Sequence, residues 1–146
     1  MQPYERKQLI ERIEREGATV GEAIPDEIDV QGNTLELQAF VFELSRRDQV
    51  PPADNDRVDE AKTALRRERL ERVTQLEEGD ITREEGEELA ASIIGIDRAL
   101  NALENLGPTD LEAEDAAREA ADRKRWLGFL RQVTGRAEET NRRRGR

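Results

Sequence analysis

Along this chain apolar side chains return mostly at helical spacing, and they alternate with polar ones in a single short stretch. Leu9, Ile10 and Ile13 form a narrow stripe after Tyr4, which predicts a first helix from Pro3 to about Glu16. Pro3 suits the first helical position and Gly17 the residue just past the end. Ile28-Asp29-Val30 and Leu35-Glu36-Leu37 alternate on either side of Gln31-Gly32-Asn33-Thr34, the pattern of a β-hairpin. With Gly32 and Asn33 as a two-residue turn, Val30 faces Leu35 and Ile28 faces Leu37, so the apolar side chains share one face. A lone hairpin is marginal in water. This one is expected to lie against the first helix or against residues 38–47, where Leu37, Phe40, Val41 and Leu44 sit at helical spacing. Phe40-Val41-Phe42 also has the β-propensity of a third strand.

Val50-Pro51-Pro52-Ala53 interrupts the pattern, because prolines lack a backbone donor and restrict the residue before them. Three long helices are predicted beyond it. The first runs from about Asp56 to Glu78, with Val58, Ala61, Leu65, Val73 and Leu76 inward and Gly79 as its stop. The second opens on a capping box of Thr82 and Glu85 and runs to Leu106. Leu89, Ile93, Ile96, Leu100 and Leu103 recur along it as the seam of a bundle helix. Gly107-Pro108 ends it, Thr109 and Glu112 repeat the capping box, and the last helix reaches about Thr134. Short connections make neighbours antiparallel. The expected architecture is therefore mainly α. Residues 54–135 form an antiparallel three-helix bundle, residues 1–50 a small N-terminal helix–β-hairpin–helix module packed on it, and residues 136–146 a disordered Arg-rich tail.

Composition narrows the chemistry. The 146 residues hold 34 Asp plus Glu and 24 Lys plus Arg, a formal net charge of −10, with no His and no Cys. That removes imidazole bases, thiol nucleophiles, disulfides and the usual zinc, haem and iron–sulfur ligand sets. The basic residues are 21 Arg and 3 Lys. Acid excess, scarce Lys and few large apolar residues together point to a protein that works in molar salt, where carboxylate repulsion is screened. An ordinary acidic protein from a GC-rich genome is the plainer alternative. No stretch is apolar enough to span a membrane, and the charged N-terminus lacks the apolar core of a signal peptide, so a soluble, cytoplasmic protein is expected. The charge is uneven: residues 1–135 hold 32 acidic and 19 basic side chains, a net −13, whereas residues 136–146 hold five Arg and two Glu.

Four segments carry a resemblance: Tyr4-Glu5-Arg6-Lys7-Gln8-Leu9, Gly79-Asp80-Ile81-Thr82, Ile94-Gly95-Ile96-Asp97-Arg98-Ala99-Leu100 and Ala121-Asp122-Arg123-Lys124-Arg125-Trp126-Leu127. They resemble a conserved haloarchaeal family of unknown function over residues 3–135. The resemblance implies origin and cytoplasmic location, and no activity or site.

Three constellations bear on function. Glu84, Glu85 and Glu88, followed by Glu112 and Asp115, resemble the carboxylate pattern with which all-α nucleotide pyrophosphohydrolases hold magnesium. In an antiparallel hairpin closed at Gly107-Pro108, however, Glu112 lies beside residues near 103, about 22 Å from Glu88 at 1.5 Å per residue. The pattern then reduces to a solvated acidic face. The second constellation, Arg123-Lys124-Arg125-Trp126-Leu127-Gly128-Phe129, holds the only Trp. It is either the core of the bundle end or an anchor patch for a partner. The third is the tail, with Arg142, Arg143, Arg144 and Arg146 as candidate phosphate contacts, although such contacts weaken steeply in high salt. No Gly-rich phosphate loop, Rossmann fingerprint or Ser–base pair is present. The expected function is non-enzymatic protein–protein interaction or scaffolding in a high-salt cytoplasm, without cofactor or metal. The partner is an unknown protein or a second copy in a homodimer, met by Arg125, Trp126 and Phe129. Nucleic-acid or ribosome association through the basic tail is the alternative, a carboxylate–magnesium nucleotide hydrolase the second alternative, and no membrane partner is expected.

Overall fold

The computed structural model describes residues 1–16, 24–47, 49–50, 52–108 and 116–135. These residues form α1 (Pro3–Glu16), β1 (Ile28–Val30), β2 (Asn33–Leu35), α2 (Leu37–Arg46), β3 (Gln49–Val50), a 3-10 turn (Pro52–Asp54), α3 (Asn55–Glu78), α4 (Arg83–Glu104), β4 (Gly107–Pro108) and α5 (Ala116–Thr134). The chain is mainly helical with a small antiparallel hairpin. No helix among the described residues is long and apolar enough to cross a membrane.

The packing is organised by α4. Of the predicted seam, Ile93, Ile96, Leu100 and Leu103 are buried and Leu89 is half-buried, but Ala90, Ser92, Ile94, Gly95 and Ala99 are buried too. A helix apolar around most of its circumference must be enclosed, and α1, α2 and α3 all lie against it. Leu9 and Ile13 of α1 join Leu76, Ile81, Ile93 and Ile94 in one apolar cluster. The hairpin, α2, α3, the second half of α4 and α5 build the other. Gly95 allows the closest approach. A Cβ there would stand 2.5 Å from Leu37 Cδ2, at the first turn of α2.

Guanidinium groups join the elements around this centre. Along the antiparallel α3–α4 pair, Arg66 meets Glu104 and Arg69 meets Asp97. Arg72 donates to Glu68 Oε2 at 2.8 Å, to Ser92 Oγ at 3.0 Å and to the Asp29 carbonyl at 2.8 Å, linking α3, α4 and β1. Arg6 of α1 donates to the carbonyls of Leu76 and Gly79 at 2.7 and 2.6 Å, closing the C-terminal end of α3, where carbonyls lack helical partners. At the start of α4, Thr82 Oγ1 accepts from the Glu85 amide at 3.2 Å and donates to Glu85 Oε1 at 3.3 Å, so the predicted cap is present. The second predicted capping box, with Thr109 and Glu112, and the stop at Gly17 lie outside the described residues.

Three local expectations change. The hairpin turn is Gln31-Gly32, with φ of 51° and 85°, the two positive values of a type I′ turn. The pairing is accordingly Ile28 with Leu35 and Val30 with Asn33, two residues from the expected register. A slip of two keeps each side chain on its face, so Ile28, Val30 and Leu35 stay buried while Leu37 is released to begin α2. At this turn Glu68 Oε1 accepts from the Gln31 amide at 2.9 Å. The hairpin lies on α3 and α5. Phe40-Val41-Phe42 is helical, because Leu37, Phe40 and Leu44 then reach the core together. Finally, Gln49–Val50 pairs in parallel with Gly107–Pro108. The proline-rich break thus still carries a ladder at the residues just before it, short enough that the missing proline donors are tolerated.

Glycine substitutions separate close approach from helix propensity. Gly95→Ala is expected to lower stability by about 1–3 kcal/mol through overpacking. Gly128→Ala, with nothing within 4 Å of the added Cβ, is expected to raise it by up to about 1 kcal/mol. Denaturant titration of both variants checks the pair.

Candidate functional site

The apolar face of α2 meets the C-terminal half of α5. Phe40 stacks with Trp126 at a centroid separation of 6.5 Å and 21° between planes, and meets Phe129 in a tilted contact at 5.7 Å and 42°. Helical spacing also points Glu43 inward, one turn after Phe40 and one before Arg47. Its side chain is buried, and its carboxylate accepts from Arg47 Nη2 at 3.3 Å and from Arg125 Nε at 3.1 Å. The Arg47 guanidinium lies 4.7 Å over the Trp126 ring, a cation–π contact of about 0.5–2 kcal/mol. Beside this group Asp54, just ahead of α3, is 1% exposed and its Oδ1 accepts from Arg123 at 3.1 Å. Asp54 Oδ2 and Trp126 Nε1 are buried without a hydrogen-bond partner among the described residues.

Above this core the surface has a particular composition. Because Leu37, Phe40 and Leu44 face in, α2 turns Gln38, Ala39, Phe42, Ser45 and Arg46 outward. Phe42 is 63% exposed, and the Arg46 guanidinium stands 5.7 Å from its ring centroid. On α5, Lys124, Arg125 and Arg131 are exposed. Across Leu37–Arg47 and Arg123–Gly135 the one acidic residue is Glu43, and it is buried. On a chain with 34 carboxylates, this α2–α5 face exposes none from these two segments.

The sequence candidates divide across the face. Trp126 is 0% exposed and Phe129 is also buried, so both lie beneath the surface, while the Arg125 side chain is 46% exposed and reaches it. Arg142, Arg143, Arg144 and Arg146 lie outside the described residues. Glu84, Glu85 and Glu88 are exposed at the start of α4, with Glu85 engaged by the Thr82 cap. Glu112 and Asp115 lie outside the described residues, and among those described no three carboxylates are placed to hold a metal ion.

Sequence reasoning missed Glu43, Arg47, Asp54 and Phe42. Two signals were available. A charge inside the run Phe40-Val41-Phe42-Glu43-Leu44 with Arg47 four residues on marks an internal pair, and the Leu37, Phe40, Leu44 spacing leaves Phe42 on the outer side. Elsewhere, an open groove of about 800 Å³ runs between the hairpin turn, α3 and the end of α5. Its lining mixes Asp56, Asp59 and Glu60 with Arg57 and Arg67 and singles out no ligand.

Residues 1–131 match the family model described as a family of unknown function, DUF5788. No curated protein and no solved structure matches the chain.

Glu43→Ala leaves Arg47 and Arg125 facing a void over the aromatic core, and is expected to cost about 2–4 kcal/mol, near the range for breaking a buried pair. Arg125→Ala removes a half-exposed partner and is expected to cost about 1 kcal/mol or less. Denaturant unfolding followed by the emission of Trp126 reads both.

Proposed function

This chain belongs to DUF5788, a family of unknown function, and we propose that it is a non-enzymatic protein that docks onto another protein in a high-salt cytoplasm. The observation that carries the reading is Phe42, a large aromatic side chain left 63% exposed on the α2–α5 face. Aromatic and Arg side chains dominate interface energetics, and here Phe42 and Arg46 stand on the outer side of the helix whose inner side holds Phe40 against Trp126 and Phe129. The anchor moves from Trp126, where it was expected, to the residue two positions after Trp126's stacking partner Phe40. Residues 54–135 serve in this reading as an antiparallel three-helix frame that holds the N-terminal module, and the acid excess elsewhere keeps the body hydrated in salt.

Association with nucleic acid or the ribosome is the second reading. Its tail residues Arg142, Arg143, Arg144 and Arg146 fall beyond the matched residues 1–131. Within α5, Arg123 is paired with Asp54 and Arg125 with Glu43, which reduces their use for phosphate.

Affinity capture of the full chain from its host, at the host's internal salt, tests the reading. Wild type is expected to retain a stoichiometric protein that Phe42→Ser loses. Retention of nucleic acid alone would overturn protein docking in favour of the second reading. Salt adaptation has its own measurement. Raising KCl from about 0.1 to about 1 M shortens the Debye length from about 10 to about 3 Å, and the unfolding midpoint is expected to rise with it; a falling midpoint would exclude salt adaptation.

A further inference from the structure

We infer that the α2–α5 face takes an acidic segment of a different protein, one that places a large apolar side chain against Phe42. The inference rests on the docking reading above and adds the chemistry of the partner. It starts from the distribution of charge. Residues 1–135 carry a net −13, yet the exposed side chains of Leu37–Arg47 and Arg123–Gly135 include Arg46, Lys124, Arg125 and Arg131 and no carboxylate. Arg46, Lys124 and Arg131 make no ion pair among the described residues. A partner segment rich in Asp or Glu satisfies these groups directly. At molar salt only direct contact remains effective, because a Debye length of about 3 Å removes longer-range attraction.

The apolar part follows from α2. Phe42 is 63% exposed, with the small side chains of Ala39 and Ser45 one turn away on either side and the Arg46 guanidinium 5.7 Å from its ring centroid. Beneath it, Glu43 with Arg47 and Arg125 fixes α2 to α5, so little ordering is required when a partner arrives.

The same features exclude two other occupants. In a two-fold pair of this chain the face would meet itself, setting Arg46, Lys124 and Arg131 against their own copies with no exposed carboxylate from these segments to answer them. A nucleic acid would find Lys124 and Arg131, with Arg46 already held against Phe42, where tight binding rests on many phosphate contacts. In molar salt so few contacts hold weakly.

Site-specific photocross-linking tests the inference. Benzoylphenylalanine replaces Phe42 in one full-length chain and Leu70, also exposed but on α3, in another. Both are irradiated in the host at its internal salt, and the adducts are read by mass spectrometry. Position 42 is expected to yield a single heterologous polypeptide whose attached peptide is net negative and contains a large apolar residue. Adding Arg46→Glu with Lys124→Glu to that chain is expected to cut the yield at least about tenfold, as for lost charge contacts, with Trp126 emission unchanged as proof of folding. A neutral or basic peptide, a second copy of this chain, a nucleotide adduct, equal yields at 42 and 70, or no adduct at 42 overturns the inference. A protein adduct at 70 alone would defeat the face and leave protein docking standing, whereas nucleotide adducts without protein at either position would defeat both.

Discussion

The enclosure of α4 is the constraint on which the other elements depend. With 40% of residues charged, this chain has few large apolar side chains, and α4 buries five of them, Ile93, Ile94, Ile96, Leu100 and Leu103. A helix apolar on most sides cannot lie on the surface of anything; it must be surrounded. Leu37 and Leu9 therefore come from opposite ends of the N-terminal third to cover different stretches of it. Gly95 is where the cover comes closest, because a side chain at that position would occupy the space of Leu37.

Around this helix arginine joins the elements, and Arg72 illustrates how. One planar group reaches a carboxylate, a hydroxyl and a backbone carbonyl on three different elements, a task that the compact ammonium of Lys performs less well. Arg6 does the same for the end of α3. Arg47 goes further, pairing with a buried carboxylate while covering an indole. Buried pairs of this kind contribute less to net stability than to holding one arrangement, and in this molecule they fix the angle between α2 and α5.

What was legible in the sequence was local. Pro3 to Glu16, the α3 stop at Gly79 and the Thr82–Glu85 cap depend on neighbours in the chain, and they stand where spacing and capping chemistry put them. The hairpin turn falls at Gln31-Gly32, where the Gln31 amide is bonded to Glu68, 37 residues away, a contact the flanking residues do not announce. Phe40-Val41-Phe42 has strand propensity, but a helix lets Phe40 reach Trp126; tertiary packing overrode propensity. The pairing of Val50 with Pro108 has no periodicity to announce it. The candidate site was half visible. The Arg125-Trp126-Phe129 cluster stood out in the sequence, while the partition into buried Trp126 and Phe129 and exposed Phe42 required α2, which lies far away in the chain.

The α2–α5 face is assembled from segments that the chain keeps widely apart. Glu43 and Arg125 are 82 residues distant in sequence, and the whole α3–α4 hairpin lies between them. The parallel pairing of β3 with β4 sets the strand that follows α2 beside the strand that follows α4. The surface is consequently a property of the whole tertiary structure, and any ligand that binds it and not the unfolded chain stabilises the entire molecule by mass action.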